Sequence, residues 1–230
     1  MKKHDFMNNP FMKVMNWAYI GLTVSVLFAL TNLPLVFCAL FLAVDSRNLP
    51  FFLIALLPFG SACMAGLGVA DEFITHKAVA PAKAYAQHLI QAFKRGLLYW
   101  VPTLLVVIIL ATDIGWFAAN PALGRFLLPL LVILLAVVLG LSVNLMYLQV
   151  RNPEVGPKAV FKLAVYYLAK RWYIALLNAV LLASVPVLMI IKPQFGMVVT
   201  PSVLLLLIYL NCEFLGKLQL WQRQDKARRE

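Results

Sequence analysis

The chain has 230 residues, of which 63% are hydrophobic and 13% charged, and its mean hydropathy is +0.87. A soluble domain carries about 25% charged residues and about 45–50% apolar ones, and a disordered chain needs low hydrophobicity, so this composition excludes both and points to an integral membrane protein. The formal net charge of +11, from 20 basic and 9 acidic residues, falls in short blocks between long apolar runs, which suits anionic lipid headgroups or a protein partner and not nucleic acid.

Lys2 and Lys3 open the chain and a polar stretch follows. The first apolar run is much longer than a signal-peptide core and has no cleavage pattern, so it is expected to stay in the protein. A bilayer core of about 30 Å takes about 20 helical residues. Six runs meet that length, at about 17–44, 49–70, 97–117, 126–150, 172–191 and 198–215. The expected fold is one all-α membrane domain of six transmembrane helices, arranged as three hairpins.

The second and fourth connections are the longest, and each predicts an amphipathic helix, at about 81–95 and 157–171. Pro81 and Pro157 suit helix starts. Lys94-Arg95 and Lys170-Arg171 follow thirteen residues later in each case, where the helix dipole favours cations. Tyr85, Leu89 and Phe93 make an apolar stripe in the first, and Phe161, Val165 and Leu168 in the second. Two readings of these helices stand: they lie in the membrane interface, or they dock a cytoplasmic partner. The docking candidates are Lys83, Lys94, Arg95, Lys158, Lys162, Lys170 and Arg171.

Seventeen Lys and Arg fall in the N-terminus, the second and fourth connections and the C-terminal stretch; the other three connections hold only Arg47, Arg125 and Lys192. The positive-inside rule then predicts that both termini are cytoplasmic. The opposite connections are short turns, which leaves no room for an external domain.

Proline recurs in the spans. Pro34 and Pro58 each lie twelve residues from Ser46 in the first turn, so both predict a break at one depth. Broken backbone inside a membrane is tolerated where it is buried in protein or lines a cavity. Asn32, Pro34, Pro58, Gly60 and Ser61 are the candidate pocket, and ordinary kinked packing is the competing explanation. Asp71 and Glu72 stand at a span end, where they meet solvent or pair with a nearby base.

Catalytic patterns are missing. His4, His76 and His88 form no HxxxH or HExxH pattern, Ser61 lacks a GxSxG context, and no phosphate-binding P-loop occurs. Cys38, Cys63 and Cys212 lie in apolar stretches and form neither a CxxC site nor a disulfide framework. No cofactor, metal or catalytic residue is expected.

Leu57-Pro58-Phe59-Gly60-Ser61-Ala62, followed by an amphipathic helix closing in Phe93-Lys94-Arg95-Gly96-Leu97, resembles the YesL-like family of bacterial membrane proteins. Lys170-Arg171-Trp172, then Pro193-Gln194-Phe195-Gly196 and a last span with Tyr209-Leu210-Asn211, carry the resemblance through the second half. It implies a bacterial plasma-membrane protein that accompanies carbohydrate importers of the ATP-binding-cassette (ABC) type, with importer subunits and membrane lipids as partners. It implies no catalytic residues. The expected function is that of a non-catalytic accessory protein of sugar uptake. The alternative is a stand-alone protein that binds or transports a small solute through the mid-membrane pocket.

Overall fold

The computed structural model describes residues 10–43, 45, 47–76, 79–191, 196 and 199–213. The N-terminal lysines, Ser46, the ends of the sixth predicted span and the C-terminal basic stretch lie outside them. About 90% of the structure is helical, and no strand occurs among the described residues. The helices are α1 (Pro10–Thr31), α2 (Leu33–Phe41), α3 (Leu49–Ala55), α4 (Phe59–His76), α5 (Pro81–Ala119), α6 (Pro121–Arg151), α7 (Pro157–Lys170), α8 (Trp172–Ile191) and α9 (Thr200–Glu213).

Among the described residues, five helical stretches are long and apolar enough to cross a membrane: Val14–Thr31, Pro50–Thr75, Pro81–Ala119, Gly124–Arg151 and Trp172–Ile191. Their outer surfaces stay apolar, with Ile54, Ile109 and Phe126 at 66%, 61% and 79% exposure. Water would not tolerate so continuous an apolar surface on a soluble monomer, whereas lipid requires it. The chain is an all-α, multi-pass membrane protein. Thr200–Glu213 is a shorter apolar helix; at 1.5 Å per residue it is about 21 Å long.

The first two predicted spans are each divided. α1 stops at Thr31, Asn32 leaves helical geometry with φ −98° and ψ 28°, and α2 begins at Leu33 with a proline in its first turn. A proline there lacks the N–H that would continue the ladder from α1, so the chain restarts as a new helix. The second division falls at 56–58, between α3 and α4. Breaking a helix frees carbonyls, and one of them is recovered: the indole Nε1 of Trp100 on α5 donates to the Leu56 carbonyl at 2.8 Å.

α4 is the central helix, and every residue from Phe59 to Ala70 is buried. Its small residues allow this. A Cβ added at Gly60 would lie 2.2 Å from the Trp100 Cβ, and one at Gly96 would lie 2.7 Å from the Ser61 Cα, so α4 and α5 cross nearly backbone to backbone. Small residues at such crossings are how membrane helices gain packing without a hydrophobic drive between them. Phe28 of α1 meets Phe59 edge-on at 5.6 Å, and Phe59 meets Trp100 at 5.2 Å. α9 packs into this centre through Leu205, Ile208, Tyr209 and Cys212, all buried, and Ser25 on α1 donates to the Ser202 hydroxyl at 2.9 Å.

The two amphipathic segments differ. The first is continuous with the span that follows it, as one 39-residue helix from Pro81 to Ala119. The second, α7, is a separate helix of 14 residues that ends where Arg171 takes φ −135° and ψ 52°. α8 starts at the next residue.

Candidate functional site

The five pocket candidates do not share one environment. Asn32 is fully buried; its amide Nδ2 donates to the Phe28 carbonyl at 2.9 Å, and its Oδ1 finds no partner among the described residues. Pro34 is exposed and Pro58 is half-buried. Gly60 is closed over by Trp100. Ser61 is buried, and its hydroxyl donates to the Phe93 carbonyl at 3.0 Å, binding α4 to α5. Gly60 and Ser61 thus face the α5 crossing.

The docking candidates lie on α5 and α7 and at the turn that ends α7. Lys83 and Lys94 are exposed on α5, and Lys158, Lys162 and Lys170 are exposed on α7. α7 buries Val160, Ala164 and Tyr167 against the bundle, a stripe at 3–4-residue spacing that turns the lysines outward. Phe161, Val165 and Tyr166 are exposed between them. Lys170 Nζ donates to the Tyr166 hydroxyl at 3.1 Å and sits 5.4 Å from that ring's centre, an arrangement that draws on the ring's negative face. Arg95 differs from the lysines: it donates an N–H to the Pro153 carbonyl. Arg171 is half-buried at the α7–α8 turn.

At this basic end of the bundle the structure assembles a polar layer that single residues did not announce. Asp71 at the end of α4 receives two charge-assisted bonds, from Arg151 Nη1 at 2.8 Å and from the Tyr209 hydroxyl at 2.7 Å. The Arg151 guanidinium also lies over the Tyr209 ring, 5.9 Å from its centre, and Tyr147 packs edge-on against that ring. One carboxylate thereby ties α4, α6 and α9. Its neighbour Glu72 takes a separate partner, His88 of α5, whose Nε2 is 3.3 Å from Oε2. A Cβ at Gly68 would lie 2.6 Å from the His88 ring, so the glycine lets the imidazole lie against α4.

Two further networks extend the layer. The Tyr99 hydroxyl donates to Gln149 Oε1 at 2.5 Å, and Gln149 Nε2 donates onward to the Asn152 and Val155 carbonyls. This fixes the chain between α6 and α7. Asn211 of α9 donates to Asn178 Oδ1 at 2.7 Å and to the Ile174 carbonyl at 3.2 Å, and Asn178 donates to the Cys212 sulfur at 3.0 Å. Polar side chains between membrane helices act as specific fasteners.

Chemically, Asp71 is matched to the Arg151 guanidinium and the Tyr209 phenol, and Glu72 to the His88 imidazole. Among the described residues, no three His, Cys, Asp or Glu side chains converge as a metal set would require. The sequence left solvent contact or pairing with a nearby base open for Asp71; the structure pairs it with Arg151, and the Tyr209 phenol is the member of the knot that sequence reading missed. The one signal for the knot was an acid pair at a span end, with Arg151 closing a later span. Comparison with known proteins gives no match: no family model, no curated protein and no solved structure matches the chain.

Proposed function

We propose that this protein is a non-catalytic accessory component of carbohydrate uptake in a bacterial plasma membrane, docking an ABC-type importer subunit through its basic cytoplasmic helices. In this reading the chain crosses six times, through α1–α2, α3–α4, the apolar part of α5, α6, α8 and α9, with both termini cytoplasmic. The charge bias of the connections supports that orientation, and the resemblance described above supports the link to sugar import.

The observation that carries the docking role is α7. It is held to the bundle by one apolar stripe, and it offers Lys158, Lys162 and Lys170 outward from a helix distinct from the spans. Protein docking depends on where charges sit, because a misplaced like charge is repulsive. Attachment to anionic lipid depends mainly on total charge, at about 1 kcal/mol per basic residue. The combined change Lys158→Gln and Lys162→Gln separates the two. If α7 docks an importer subunit, co-purification in mild detergent should lose that subunit, while Lys226→Gln with Arg228→Gln should keep it. Equal recovery of the subunit by the two double variants would contradict docking and favour lipid contact.

A further inference from the structure

α4, α5 and the end of α6 leave a cleft of about 60 Å³, lined by His88, Gln91, Ala92, Arg95, Gln149 and Pro153 among others. Two of its polar walls are already committed. The amide of Gln149 is occupied by Tyr99, Asn152 and Val155, and His88 Nε2 faces Glu72. Arg95 is not. It gives one N–H to the Pro153 carbonyl, and no carboxylate pairs with it among the described residues. Among the described residues its other guanidinium donors have no hydrogen-bond partner, and they stand beside the exposed Gln91.

A guanidinium fork with an adjacent amide donor matches the oxygens of a phosphate group. The volume admits one such group and not a nucleotide. Leu97 begins the apolar stretch of α5 directly after Arg95 and Gly96, which is the level at which phospholipid headgroups meet a spanning helix. We propose that this cleft is a binding site for a single phosphate group, carried either by a phospholipid headgroup or by free phosphate. Arg95 supplies the charge, and Gln91 supplies a neutral donor.

The full chain, purified in mild detergent, should be exchanged against phosphatidylglycerol or against diacylglycerol with the same acyl chains. Native mass spectrometry reads retained lipid, and calorimetric titration reads binding of inorganic phosphate. The wild type should retain phosphatidylglycerol over diacylglycerol, or bind inorganic phosphate. The first result identifies the lipid as the source, and the second a free phosphate. Arg95→Gln should weaken whichever is seen by about tenfold or more, the loss expected for hydrogen bonds to a charged group. Arg125→Gln, the same charge loss elsewhere, should not. Ala92→Leu fills the cleft while keeping the Arg95 guanidinium, and should give the same loss if Arg95→Gln fails to fold. Binding of neither probe, or wild-type binding by Ala92→Leu, would overturn the proposal.

Discussion

Asp71 shows how much one side chain can organise when its partners come from far along the chain. Arg151 lies 80 residues later and Tyr209 lies 138 residues later, and neither separation leaves a local pattern. A sequence shows an acid at a helix end, and its pairing is decided only when α6 and α9 arrive beside it. The two contacts differ in worth. Tyr209 is buried, so Tyr209→Phe removes a hydrogen bond to a charged acceptor and should cost about 1.5–3 kcal/mol. The Asp71–Arg151 pair is partly open, at 27% and 35% exposure, and solvent screens it. A double-mutant cycle of Asp71→Asn with Arg151→Gln should therefore give a coupling of only about 1 kcal/mol. Thermal unfolding in detergent measures both. An unchanged midpoint for Tyr209→Phe would mean that the knot does not hold α9.

Among the elements, the α4–α5 crossing sets the packing of the bundle. Gly60 and Gly115 occupy helices of similar composition, yet their surroundings differ. A Cβ at Gly60 collides with the Trp100 Cβ at 2.2 Å, while one at Gly115 meets nothing within 4 Å. Gly60→Ala should lower stability by about 1–3 kcal/mol through overpacking, and Gly115→Ala should leave it unchanged or raise it by up to about 1 kcal/mol. The ratio of folded to aggregated protein after mild heating reads the contrast, and equal yields would show that the crossing is looser than described. The spans themselves were legible as apolar runs, because lipid demands them. Their divisions were half legible: Pro34 and Pro58 mark the regions, but Asn32 is the residue that leaves the helix in the first. Lys94-Arg95 and Lys170-Arg171 look alike in sequence, yet α5 runs on through its pair and α7 stops at Arg171. Gly96 resting on Ser61 binds α5 to α4 just beyond the first pair, and that contact is tertiary, so nothing in the local sequence distinguishes the two.

For the whole molecule, docking depends on which side of the membrane the basic end faces. The polar layer, α7 and the Arg95 cleft all lie toward that end, and docking to an importer's cytoplasmic subunit requires all three to be inside the cell. The test uses a background in which Cys38, Cys63 and Cys212 are replaced by serine, checked for normal expression and insertion. Asn120→Cys stands in the exposed turn between α5 and α6, and Glu154→Cys stands in the exposed segment between α6 and α7. An impermeant thiol reagent is added to intact cells, then to cells opened before labelling. With the basic end cytoplasmic, the Asn120 site should label in intact cells and the Glu154 site only after the cells are opened. Labelling of the Glu154 site in intact cells would contradict that orientation.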